Sequence, residues 1–198
     1  LRQEEMMTMA RSSDLMSRHD TALLVIDLQE RLVPVMMNRE RLLGNVSKLI
    51  RGARLLGLPV LVTEQYPQGL GATMPAVVAE LSEGQVRWPK RAFSCAELTE
   101  LFEPLRAAGR FRIVVAGIET HVCVQQTVLD LMHLGFRLYV AADAVSARQP
   151  LDHELALRRI ESSGATLTTT EAALFEWCES STAAEFKQLS SLVKETAS

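Results

Sequence analysis

An α/β domain with a mainly parallel sheet is the fold class this sequence predicts, and three observations predict it. Short continuous apolar runs alternate with segments of helical apolar spacing along most of the chain. The runs lack polar alternation, which fits strands covered on both faces. Glycines close the helical segments at Gly57, Gly135 and Gly164. Alternating strands and helices build parallel units with right-handed crossovers. The expected architecture is a three-layer α/β/α sandwich around a six-stranded Rossmann-like sheet.

Residues 1–18 are Met-rich and mixed in charge, and no apolar segment of a secretory signal stands there. They are expected to form a flexible or partner-docked arm, with one domain over 19–198. Thr21 to Ile26 reads as the first buried strand, ending at Asp27. Leu42, Leu43, Val46, Leu49, Ile50 and Ala53 recur at helical spacing, so a helix is expected from Arg39 to Leu56. Pro59 to Thr63 is the second strand. Glu64 to Pro75 carries Gly and Pro and reads as a loop, with a short helix over Ala76 to Leu81. Val86 to Phe93 is a short extended segment, because the residue before Pro89 avoids the helical region. A helix is expected over Ala96 to Ala108, with Ser94 and Glu97 as a capping box and Pro104 kinking or shortening it.

Phe111 to Ala116 is the fourth strand. It stops at Gly117, and a helix starts close to Cys123 and runs to about Leu134. Phe136 to Ala142 is the fifth strand, ending at Asp143. A helix over Asp152 to Ser163, a last strand over Ala165 to Thr168, and helices over Glu171 to Cys178 and Ala184 to Lys194 complete the chain.

Composition excludes several function classes. A chain of 198 residues with 47% hydrophobic residues suffices for one domain with a full core. No apolar run reaches membrane-span length. A net charge of −3 without a basic block gives no support for nucleic-acid binding. Cys95, Cys123 and Cys178 match neither a disulfide framework nor a zinc pattern, so a reducing, cytoplasmic setting is expected. An organelle-targeting N-terminus is the weaker alternative. No Walker loop follows the second strand, and no Gly-x-Gly-x-x-Gly follows the first. No cofactor is expected.

In such sheets, ligands bind outside the carboxyl ends of the strands. Asp27, Lys90 and Cys123 all fall there. A thiol at a helix N-terminus meets free N–H groups that favour thiolate. Asp27 would take the thiol proton and return it to a leaving group. Lys90 would hold Asp27 ionised and favour the thiolate. The turn before Cys123 would aim backbone N–H groups at an oxyanion. Singly, each has a structural reading: an Asp ending a strand is a cap residue, a lone Lys is solvated, and Cys123 is a buried cysteine. Their joint placement favours acyl transfer. His121 reads as a polar loop residue, and His19, His133 and His153 as surface or helix residues.

Leu24 to Gln29, Lys90 with Phe93-Ser94, and Gly117-Ile118-Glu119-Thr120-His121-Val122-Cys123 together resemble the isochorismatase-like cysteine hydrolases. The likeness runs over about residues 20–195. Thr63 to Gly71 and Phe186 to Glu195 further resemble the isochorismatase domain-containing subgroup. The resemblance implies a catalytic triad of Asp27, Lys90 and Cys123. It implies a cis peptide between Ile118 and Glu119, and an oxyanion hole from the Glu119 and Cys123 backbone N–H groups. Relatives acting on nicotinamide carry an Asp-x-His…His metal site after the second strand. Glu64-Gln65-Tyr66 stands here instead, so no metal is expected. Tyr66, Leu70, Met74, Trp88, Phe93 and Thr120 are the candidate pocket residues, while Cys95 and Cys178 read as packing. The function implied is hydrolysis of a small-molecule amide, imide or related acyl substrate, by a homo-oligomer. The alternative is a silent family member acting as a binding or scaffold protein.

Overall fold

The computed structural model describes residues 11–195. The strands are β1 (Thr21–Ile26), β2 (Val60–Gln65), β3 (Arg87–Lys90), β4 (Arg112–Ile118), β5 (Arg137–Ser146) and β6 (Thr166–Thr168). The helices are α1 (Arg39–Leu55), α2 (Pro67–Leu70), α3 (Pro75–Val78), α4 (Thr99–Ala107), α5 (Gln125–His133), α6 (Pro150–Ser162), α7 (Thr170–Cys178) and α8 (Phe186–Lys194). The six strands form one sheet in the order β3-β2-β1-β4-β5-β6, and every neighbouring pair is parallel. The strand order reverses between β1 and β4, which opens a crevice at their carboxyl ends.

The continuous apolar runs divide between two cores because successive side chains of a strand point to opposite faces. Leu23 and Val25 of β1 join Val62, Val114 and Ala116 under α1, α7 and α8. Ala22, Leu24 and Ile26 join Ile113, Val115 and Val140 under α4, α5 and α6. Each fully buried Leu, Ile or Val contributes roughly 1.5–3 kcal/mol relative to exposure. Two glycines lie at close approaches, and only the second is against backbone. A Cβ at Gly52 of α1 would stand 2.1 Å from Leu174 Cδ2 of α7. A Cβ at Gly117, where φ is +120°, would stand 2.1 Å from the Ile26 carbonyl oxygen of β1.

Several boundaries differ from the sequence expectation. The fourth strand continues through Gly117 to Ile118, held in register with β1 at Ile26↔Gly117. The fifth strand runs on to Ser146 across a register shift. Asp143 therefore lies inside β5, where its Oδ1 accepts from the Thr170 N–H at 2.8 Å and starts α7. The helix expected over 96–108 is divided. A 3-10 turn covers Cys95–Glu97, and α4 begins at Thr99 and carries Pro104 within it. Ser94 caps the turn through the Ala96 N–H. Glu97 does not close the capping box; it accepts the Arg91 and Ala92 N–H groups, both at 2.9 Å. The segment expected as a loop after β2 contains a single-turn helix, α2, and the short helix expected over 76–81 is the single turn α3.

Residues 11–18 pack on the domain. Met16 is fully buried, and the Tyr139 hydroxyl donates to the Asp14 carbonyl at 2.9 Å. Residues 1–10 of the expected arm lie outside the described residues. Among the described residues, no helix is long and apolar enough to cross a membrane.

Candidate active site

Four adjacent strands deliver the candidate residues to the reversal point of the sheet. Asp27 follows β1 in the left-handed region, with φ of +53°, and its side chain is fully buried. Its N–H donates to the Thr63 carbonyl at 3.2 Å. The Thr63 hydroxyl donates to Asp27 Oδ1 at 2.8 Å. Lys90 closes β3, and its buried ammonium stands 2.7 Å from Asp27 Oδ2. The Lys90 protons are directed to Gln65 Oε1 at 2.6 Å and the Phe93 carbonyl at 2.9 Å. The third side of the ammonium faces Asp27 Oδ2, so the pair is a buried charge contact at 2.7 Å.

Cys123 arrives from β4 through one wide π-helical turn, Thr120–Val124, that precedes α5. An extra residue per turn of this kind bulges the backbone and recurs at functional sites. The Ile118–Glu119 peptide bond ahead of it is cis. The Val122 and Val124 N–H groups both donate to the Glu119 carbonyl, at 3.0 and 3.2 Å. The Glu119 carboxylate is held by Arg148 Nε at 3.0 Å. Cys123 is buried, and its Sγ lies 4.0 Å from Gln65 Oε1.

Burial, followed by the Asp27 charge, pushes the Cys123 thiol up to about 12 against the opposing charge of Lys90. Cys123 sits in the turn before α5, and burial and the Asp27 charge oppose the preference for thiolate expected at a helix start. Burial also raises Asp27 above its ordinary value, with Lys90, Thr63 and the Cys123 thiol opposing. Burial alone would lower Lys90, but the Asp27 charge and the neighbouring Cys95 and Cys123 raise it.

The candidate pocket residues are placed unequally. Tyr66 is 40% exposed, with the Arg91 guanidinium 4.1 Å above its ring, and Phe93 is 53% exposed. Leu70 is half-buried, and its carbonyl accepts the Arg31 N–H. Trp88 packs on the core beneath α4 to α6, whereas Met74 packs on the core of the opposite face. Thr120 is fully buried, with its hydroxyl 2.9 Å from His153 Nδ1. His153 is a residue of α6, as expected, and its ring is tied to the turn that carries Cys123. A cleft of about 410 Å³ reaches Lys90 and is bordered by Pro67, Gln68, Arg91 and Glu97. A cleft of about 840 Å³ opens beside Pro59 and Val60 at the opposite end of β2, away from Asp27, Lys90 and Cys123.

Sequence reasoning missed Gln65. Its Nε2 donates to the Arg91 carbonyl at 2.9 Å, which turns its oxygen toward Lys90 and Cys123. Gln29 clamps the Gln65 backbone, accepting its N–H at 2.7 Å and donating to its carbonyl at 2.9 Å. The available signal was the pairing of Gln29 with a second glutamine at the end of an adjacent strand. Glu64, beside it, accepts from Thr73 N–H and hydroxyl and so fixes the following segment. Among the described residues, no group of three or more His, Cys, Asp or Glu side chains is placed to hold a metal ion.

Comparison with known proteins bears on the family and the fold. Residues 21–172 match the model of the Isochorismatase domain. The chain is 37% identical over 172 residues to isochorismatase domain-containing protein 1 of Danio rerio, covering 86% of this chain and 60% of that one. It is 36% identical over 174 residues to isochorismatase domain-containing protein 2 of Bos taurus, covering 87% and 82%. Its fold is similar to a structure described as the MAR1 ribonuclease of Caenorhabditis elegans. The TM-score is 0.86 at 35% identity, covering 93% of this chain and 94% of that one. The chain spans less than two thirds of the Danio rerio and Salmo salar relatives, 60% and 62% of their lengths. With the domain match extending over most of its length, the chain belongs to the isochorismatase family.

Proposed function

We propose that this protein is a cysteine-dependent hydrolase of a small amide, imide or related acyl substrate. The observation that carries the reading is the buried Lys90–Asp27 pair, at 2.7 Å, on the same sheet edge as Cys123. Asp27 Oδ2 takes the Cys123 proton as sulfur attacks the substrate carbonyl carbon. The carbonyl π pair moves to oxygen, where the Glu119 and Cys123 backbone N–H groups receive it. The carbon–nitrogen bond then breaks, and the leaving nitrogen takes the proton from Asp27. Water attacks the thioester while Asp27 accepts one of its protons. The acid departs, and sulfur recovers the proton.

Because the thiol rests protonated, base transfer and attack are coupled, and Asp27 is the element that makes the sulfur nucleophilic. Lys90 remains charged throughout and keeps Asp27 ionised between proton transfers. Tyr66, Leu70, Phe93 and the cleft beside Lys90 are the proposed substrate surround. Assembly as a homo-oligomer belongs to the same reading. Leu151 and Leu155, one turn apart on α6, are 64% and 51% exposed and supply an apolar face for it.

The test is a screen of small amides and imides with the wild type and Cys123→Ala. Turnover by the wild type alone supports the reading. Equal turnover by Cys123→Ala, or acylation of Cys95 or Cys178 instead, overturns it. The Caenorhabditis elegans structure is described as a ribonuclease. For this chain, with a net charge of −3, single-stranded RNA should stay intact in the same assay.

A further inference from the structure

We infer that Thr63 is a positioning residue of this site: its hydroxyl occupies one oxygen of the Asp27 carboxylate, so that the other alone takes the Cys123 proton. The inference rests on the hydrolase reading above. Thr63 and Asp27 are both fully buried, so neither exchanges its partner for water. A threonine hydroxyl has one proton to give. Here it goes to Asp27 Oδ1 at 2.8 Å. The Thr63 carbonyl also accepts the Asp27 N–H at 3.2 Å, so one residue fixes both the backbone and the carboxylate of Asp27.

A second contact sets the direction of that proton. The Cys95 thiol lies 3.7 Å from Thr63 Oγ1 and donates to it. Cys95 is held in turn by its N–H, which donates to Thr127 Oγ1 of α5 at 2.9 Å. Burial pushes the Cys95 thiol up to about 11, so it keeps its proton and remains a donor. The chain of donors therefore runs from Cys95 to Thr63 to Asp27 Oδ1. Cys95, on sequence a packing residue, is the outer member of it.

The two carboxylate oxygens are thereby distinguished. Oδ1 accepts from the Thr63 hydroxyl, while Oδ2 faces the Lys90 ammonium at 2.7 Å. In the proton transfer, the Sγ–H bond breaks and an Oδ2–H bond forms, while Oδ1 continues to accept from Thr63. A donor to a carboxylate favours its charged form, so removing the donor makes the group hold its proton more readily. The groups facing Asp27 are Lys90 from β3, Cys123 from the π-helical turn, Cys95 from the 3-10 turn and Thr63 from β2. All but Thr63 persist in a Thr63→Val chain. Valine keeps the branched shape a buried strand position favours, so a packing role alone would survive the exchange.

The experiment follows the Asp27 carboxyl carbon by NMR titration of Asp-labelled protein, assigned by the signal missing from Asp27→Asn. Thr63→Val should raise the Asp27 pKa by about one unit, a tenfold change in its proton affinity. Thr63→Ser, which restores the hydroxyl, should return it to the wild-type value. Cys95→Ala is a second arm that leaves β2 untouched, and it should move the titration in the same direction by a smaller amount. No movement in either Thr63→Val or Cys95→Ala, or a Thr63→Ser value equal to that of Thr63→Val, overturns the inference. The titration needs no turnover. A shift in a protein that hydrolyses no amide would overturn the hydrolase reading and leave the role of Thr63 standing.

Discussion

Lys90 donates to Gln65 Oε1 at 2.6 Å, and the two residues are register partners at the ends of β3 and β2. The pairing gives a buried ammonium a neutral acceptor in addition to its charged one. It also turns the Gln65 oxygen toward Cys123.

Gln65→Leu removes that acceptor and leaves a Lys90 proton without a partner in a buried site. A lost hydrogen bond to a charged group costs about 1.5–3 kcal/mol. Denaturant unfolding should show a loss of that size, with unchanged slope. Turnover should fall as well, because the ammonium is free to shift away from Asp27.

The resting thiol is the second point of attack. With Cys123 pushed up to about 12, iodoacetamide should alkylate it slowly at neutral pH, and the rate should rise about tenfold per pH unit up to pH 10. Asp27→Asn removes a charge that holds the proton on sulfur while Lys90 still favours thiolate. Alkylation at pH 8 should then be at least about tenfold faster than in the wild type, although turnover is lost. Peptide mass spectrometry of the three cysteines reads both.

Lys90→Met leaves the Asp27 carboxylate buried without its counter-charge. Breaking a buried pair from one side costs about 3–5 kcal/mol. Adding Asp27→Asn should recover most of it in a double-mutant cycle. The pH dependence has a defined sign. The folded Lys90 pKa is raised, so its contribution is complete below the unfolded value, about 10.4, and is lost as pH rises through the higher folded value. The wild type should therefore lose stability on alkaline titration in a step that Lys90→Met lacks.

Gly117→Ala places a methyl group 2.1 Å from the Ile26 carbonyl oxygen, at a φ of +120°. Both neighbours are central strands, so neither can yield cheaply. The loss should be at least about 3 kcal/mol, measured as a lowered denaturant midpoint. The Cys123 turn should be displaced with it.

Much of this arrangement is legible in the chain before folding. Asp27 and Cys123 follow apolar runs and Lys90 ends a short extended segment, and a parallel sheet carries all such ends to one edge. What escaped depends on register and on side-chain competition. Gln65 reads as the start of a loop until β2 pairs with β3 at Gln65↔Lys90. Glu97 has the spacing of a capping box, yet it is drawn to the Arg91 and Ala92 N–H groups, and α4 starts late. The resting state of Cys123 also depends on depth: a helix start favours thiolate, whereas burial beside a carboxylate reverses that preference.

The central claim is that Cys123 carries the acyl group during turnover. It is tested most directly by acid-quenching the wild-type protein during hydrolysis of an active amide and mapping the mass of each cysteine peptide. The account predicts a single acyl adduct on Cys123, accumulating within the first turnover and absent from Asp27→Asn. An amide hydrolysed at full rate with no adduct on Cys123, or with the acyl group on Cys95 or Cys178, would contradict it.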